Sequence, residues 1–138
     1  MSYIAELKSK KVLIVGGGTT GKSLANYLSS VGADFTVFDE NAEISQGFDT
    51  VTEISDFSSY GLAIVSPGWR QEHSLIQNLQ SNGVEVISEL DFAWKLKTEI
   101  NPEQTWLAVT GTNGKTTTVQ MLESILIAAG VSGIACGN

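Results

Sequence analysis

Lys115 stands between Gly114 and Thr116, and a trio of this kind can hold a chain of phosphates. In such a turn backbone N–H groups cradle phosphate oxygens, the ammonium sits on the β and γ oxygens, and the hydroxyl can ligate Mg²⁺. The full stretch reads Val109-Thr110-Gly111-Thr112-Asn113-Gly114-Lys115-Thr116-Thr117. It departs from the common pattern in one respect. That pattern places a glycine five positions before the second one, where this chain has Val109, and its leading glycine is Gly111 instead. These residues predict an ATP-type loop of Gly111, Thr112, Asn113, Gly114, Lys115, Thr116 and Thr117. Lys115 and Thr116 would neutralise charge on a transferred phosphoryl group, with Thr116 as the metal ligand.

A second glycine run lies earlier. Gly16-Gly17-Gly18-Thr19-Thr20-Gly21 fits G-x-G-x-x-G, follows an apolar run, opens a helical pattern, and is trailed by Asp39 after the next apolar run. That context points to a nucleotide: glycines let a ligand's phosphates approach the backbone at the positive end of a helix, and the acid can accept from a ribose or base. The loop alone does not say which nucleotide. Glycines that serve only close helix–strand packing would look the same.

The elements that must position these loops are legible from periodicity. Val12-Leu13-Ile14-Val15, Phe35-Thr36-Val37-Phe38, Leu62-Ala63-Ile64-Val65 and Val84-Glu85-Val86-Ile87 read as strands, the first and third buried on both faces. A further short strand is expected near Thr50-Val51-Thr52. Leu24, Tyr27, Leu28 and Val31 share a helical face that stops at Gly32; Leu75, Ile76 and Leu79 share another, stopped by Gly83. Leu90, Ala93 and Trp94 predict a third helix, running to about Lys97. The alternation predicts an α/β fold: a Rossmann-like, doubly wound parallel sheet of about five strands over residues 1–98. Residues 99–104, with one of only two prolines, read as a linker. From Thr105 the pattern restarts as strand, glycine loop and helix over 105–138, the opening of a second α/β domain that these residues do not complete. Val119, Leu122, Ile125, Leu126 and Ala129 should line one face of its helix.

Composition removes several function classes. The chain has 138 residues, a net charge of −7 and only eight Lys and Arg, too few for a nucleic-acid surface. No apolar run approaches the roughly 20 residues needed to cross a bilayer, and the N-terminus has no signal-peptide pattern. The single cysteine, Cys136, allows no internal disulfide, so a reducing, cytoplasmic setting is expected; a monomer is expected as well. Cys136 reads as a small packed apolar residue, Trp94 and Trp106 as core, Trp69 as partly core or stacked on a base, His73 as a surface or capping residue, and Glu89 and Asp91 as helix-dipole partners.

Thr110 to Thr117 resembles the ATP loop of the Mur ligase family, where the shortened G-x-x-G-K-[ST] form is usual; folylpolyglutamate synthetases share it. The first glycine run, Val65-Ser66-Pro67-Gly68 and Ile87-Ser88-Glu89-Leu90 extend the resemblance over the chain, toward the D-glutamate-adding members. The resemblance implies ATP and Mg²⁺ as cofactors and UDP-N-acetylmuramoyl-L-alanine and D-glutamate as substrates. ATP would phosphorylate the substrate carboxylate, and the D-glutamate amine would displace phosphate to form an amide. By the same resemblance Gly16, Gly18, Thr19, Thr20, Gly21, Asp39 and Gly68 hold the uridine diphosphate, and Asn138 reaches the substrate. The resemblance further implies that these residues alone bind the UDP substrate but do not turn over ATP. Two other readings remain: an NAD-binding oxidoreductase or regulator using Gly16 to Gly21 and Asp39, and a module that only binds ligand.

Overall fold

The computed structural model describes residues 2–41, 43 and 47–136, which form two compact units, 1–102 and 103–138. In the first unit the order is α1 (Tyr3–Ser9), β1 (Val12–Val15), α2 (Thr19–Val31), β2 (Phe35–Phe38) and β3 (Thr50–Val51). A 3-10 turn (Phe57–Ser59), β4 (Leu62–Val65), α3 (Ser74–Ser81), β5 (Glu85–Ser88) and α4 (Glu89–Ile100) follow.

The five strands form one parallel sheet in the order β3-β2-β1-β4-β5. β1 pairs in register with β2 on one side (Val12 with Phe35) and β4 on the other (Val12 with Leu62). Because successive side chains on a strand point to opposite faces, β1 supplies two cores at once. Val12 and Ile14 pack with Leu7, Leu24, Leu28 and Phe92 under α1, α2 and α4. Leu13 and Val15 pack with Phe38, Tyr60, Leu75 and Leu79 under α3 and the 3-10 turn. All four residues of β1 are fully buried, which explains the uninterrupted apolar run.

Helix ends follow local chemistry. Gly32 closes α2 in the left-handed conformation (φ +71°), and the next amide, Ala33 N–H, donates back to Leu28 O at 3.0 Å. Ser88 and Asp91 form a reciprocal capping box at the start of α4, so Asp91 is a cap as well as a dipole partner.

Three expectations need correction in this unit. The N-terminal helix α1 was not foreseen; it buries Leu7 alone. Helix α4 runs through Ile100 rather than stopping near Lys97, and its buried residue is Phe92, with Leu96 partly buried. Leu90 and Trp94 instead lie on its outer side, 64% and 52% exposed, with Lys97 Nζ over the Trp94 ring.

The second unit consists of an extended approach, the glycine loop and α5 (Lys115–Ala128). Residues 105–110 are not a strand: no neighbouring strand pairs with them among the described residues, and an extended segment needs a partner for its backbone groups. No side chain of α5 is fully buried; of the residues expected to share one apolar face, Val119, Leu122 and Leu126 are partly buried, while Ile125 and Ala129 are exposed. Trp106 and Cys136 are likewise exposed rather than packed.

Candidate functional site

The strand order reverses at β1: β2 and β3 lie to one side, β4 and β5 to the other. Open α/β sheets bind ligands outside the carboxyl ends of the strands at such a switch point. Three segments meet there: Gly16-Gly17-Gly18 after β1, Asp39-Glu40-Asn41 after β2, and Ser66-Pro67-Gly68-Trp69 after β4.

The first segment is locked by its neighbours. Gly16 N–H donates to Phe38 O at 2.8 Å, and Ser66 N–H donates to Val15 O at 2.9 Å. Gly16 has φ +101°, and a Cβ there would lie 2.8 Å from Trp69 Nε1. A Cβ on Gly21 would lie 1.9 Å from Gly16 O, so this glycine lets the first turn of α2 pass directly over the loop. Gly18 differs. It caps α2 with no side-chain hydrogen bond, its φ is −66°, and nothing lies within 4 Å of where its Cβ would be. Thr19 and Thr20 begin α2 beside that opening, with Thr19 exposed.

Asp39 is buried, and both of its oxygens are engaged by backbone: Oδ2 accepts from Gly17 N–H at 2.7 Å and Oδ1 from Asn41 N–H at 2.9 Å. Its present partners are therefore the loop's own amides, and it ties the β1 loop to the β2 loop. The Ser66–Trp69 turn closes with Trp69 N–H donating to Ser66 O at 3.2 Å; Gly68 is exposed with open space around it.

Around this edge sits a cluster that sequence reasoning left without a joint role. Trp69 contacts Phe38 edge to face at 5.6 Å between centroids and His73 at 4.8 Å. His73 caps α3, its Nδ1 accepting from Leu75 N–H at 3.2 Å, and its Nε2 lies 3.4 Å from Glu40 Oε1. Nothing in the local sequence pattern links positions 40, 69 and 73. Their meeting depends on β2 and β4 flanking β1.

The second unit holds the other predicted residues. Gly111 (φ +151°) and Gly114 (φ +77°) shape the loop, and Gly114 precedes the first turn of α5. Lys115 Nζ donates to Gly111 O at 2.5 Å and lies 3.5 Å from Thr112 O, so the ammonium curls over its own loop. Asn113, Thr116 and Thr117 are exposed. Two loop carbonyls thus hold the ammonium, and the exposed Thr116 sits in the first turn of α5. Asn138 lies outside the described residues. Among them, no group of three His, Cys, Asp or Glu side chains could hold a metal ion, and no helix is long and apolar enough to cross a membrane.

Comparison with known proteins bears on both loops. The family model of the Mur ligase MurD-like N-terminal domain matches residues 10–88. The chain belongs to this family. A UDP-N-acetylmuramoylalanine–D-glutamate ligase of Nocardia farcinica is 38% identical over 96% of this chain and 30% of its own length. The enzyme of the same name from Corynebacterium efficiens is 32% identical over 100% of the chain and 31% of its length. That of Mycobacterium tuberculosis strain H37Rv is 36% identical over 92% and 28% respectively. The MurD-like chain thus spans about three-tenths of the length of the curated relatives it matches.

Proposed function

We propose that this chain supplies the uridine-diphosphate-binding part and the ATP loop of a ligase that joins D-glutamate to UDP-N-acetylmuramoyl-L-alanine in the cytoplasm. The observation that carries the reading is the switch-point edge, where an Asp39-braced glycine loop faces the Ser66–Trp69 turn. The match of residues 10–88 to the MurD-like N-terminal family supports it.

The division of labour follows from the two loops. Gly16, Gly18 and Gly21 with Thr19 and Thr20 would take the diphosphate at the start of α2, where backbone N–H groups and the helix dipole favour negative charge. Asp39 keeps that loop in shape, and Gly68 leaves room beside it. Gly111 to Thr117 would cradle the phosphates of ATP; Lys115 must then leave the loop carbonyls for phosphate oxygens, exchanging one set of acceptors for another. ATP with Mg²⁺ supplies the phosphoryl group that activates the substrate carboxylate. Lys115 and the loop amides oppose the charge on that group, and Thr116 would offer the metal its hydroxyl. A switch-point glycine loop trailed by an acid also serves dinucleotides, so NAD is the reading to test against.

Isothermal titration of the chain with UDP-N-acetylmuramoyl-L-alanine tests the proposal. Saturable binding competed by UDP is expected, with no phosphate release from ATP by this chain alone. Saturable NADH binding that UDP fails to compete would favour the oxidoreductase reading instead.

A further inference from the structure

We propose that α1 is a strap: clipped to Glu99, it keeps the last turn of α4 wound, and when it lifts, that turn joins the connection to the second unit. All of the contacts involved lie within the first unit, and none belongs to the switch-point edge.

The last turn of α4, Lys97 to Ile100, has little of its own to hold it. Thr98, Glu99 and Ile100 are exposed, and Thr98 and Ile100 are β-branched, which lowers helix propensity. No left-handed glycine closes this helix as Gly32 closes α2; its cap is Asn101, with φ −144°. The bonds from Lys97 Nζ to Pro102 O and from Thr98 Oγ1 to Trp94 O are ties within the helix end itself. The outside hold comes from the start of the unit, where Ser2 Oγ and Tyr3 N–H both donate to the Glu99 carboxylate. Helix α1 depends on the same clip. Its seven residues are too few for a helix to stand alone, and it buries only Leu7. Its other end is moored, since Lys10 bridges Glu6 at 2.6 Å and Glu85 on β5 at 3.6 Å. The element is thus hinged near Lys10 and fastened at Ser2. Beside the clip lies an opposing force. The Tyr3 and Tyr27 hydroxyls are buried with no hydrogen-bond partner among the described residues, and both rings lie 6.0 Å from Phe92. A buried hydroxyl left unpaired is costly, so an opening that admits water to this pair is favoured, and the clip works against it. Unwinding takes the residues of the turn from about 1.5 Å of rise each to about 3.3 Å, which adds about 7 Å of reach to the connection.

Amide hydrogen exchange, followed by NMR in the full chain, tests the strap. The amides of 6–10 and 98–101 should share one protection factor, about tenfold or more below that of Val12–Val15. Glu99→Ala removes the clip while improving helix propensity at its position. It should lower protection of both segments about tenfold, the scale of a charge-assisted hydrogen bond. Ser2→Ala, 97 positions from Glu99, should lower both by a smaller factor. Tyr27→Phe, which removes one unpaired hydroxyl, should raise both severalfold. Protection of 98–101 that is unchanged or higher in Glu99→Ala overturns the strap, as does a response to Ser2→Ala confined to 6–10. Lower protection of both segments in Tyr27→Phe would overturn the opposing role of the hydroxyls.

Discussion

Two glycines of the first loop do different jobs, and substitution should separate them. Gly21→Ala would drive a Cβ to 1.9 Å from Gly16 O, a contact only backbone movement can relieve. A loss of more than about 3 kcal/mol in urea unfolding is expected. Gly18→Ala meets nothing within 4 Å and has a negative φ, so stability should change by less than about 1 kcal/mol. A ligand approaching that opening would meet the new methyl group, and UDP affinity should fall at least severalfold. Lys115→Ala, made in a ligase carrying this chain, should lower turnover by about a hundredfold or more, the scale on which one charge-stabilising donor acts; near-normal turnover would remove Lys115 from the phosphoryl site. The sequence pattern identified Asp39 and both loops as chemically special. It could not show that Asp39 faces the Gly17 amide, because where that amide points is decided by the packing of β1 against β2. Glu40 and His73 were invisible as a pair for the same reason: 33 positions of chain separate them, and only the sheet order closes the gap.

Among the elements, buried strands were the most legible. β1, β2 and β4 lie at the centre of the sheet with apolar side chains on both faces, so composition alone marks them. Helices were harder to phase. In α4, Leu90-Ala93-Trp94 and Phe92-Leu96 are both acceptable helical stripes, and only the core beneath decides for Phe92. Residues 105–110 carry strand composition without a strand beside them, and periodicity cannot see a missing partner. A charge network ties α1, α4 and β5 together: Lys10 bridges Glu6 at 2.6 Å and Glu85 at 3.6 Å, and Lys95 bridges Glu85 at 2.7 Å. The Lys95 hydrogen bond, aided by Lys10, holds the Glu85 carboxyl below its ordinary 4.5. A lowered folded-state value means that the stabilisation is present above 4.5 and is lost as pH falls through the lower folded value. Lys10, held up chiefly by its hydrogen bond to Glu6, acts oppositely: its contribution is present below 10.5 and disappears only as pH rises beyond that. Urea unfolding of Glu85→Gln should therefore show a shallower loss of stability below about pH 4.5 than the unaltered chain. Its deficit at pH 7 should be under about 1 kcal/mol, since the pair is partly exposed.

At the scale of the whole molecule, two units of unequal self-sufficiency share the chain. The first, 1–102, has two packed cores on either side of its sheet; the second, 103–138, fully buries no side chain of α5. Hydrogen exchange followed by mass spectrometry should report this difference directly. Amides of Val12–Val15 are expected to exchange only through global opening, while those of α5 exchange orders of magnitude faster; equal protection would contradict it. The family match covers 10–88, inside the better-packed unit. One contact in that unit reaches beyond its own stability. Ser2 Oγ and Tyr3 N–H both donate to the Glu99 carboxylate, which joins the start of α1 to the end of α4. The first unit thus has its first helix and its last helix joined at the same spot. With its two ends this close, the unit should tolerate circular permutation at this junction with little disturbance to its sheet.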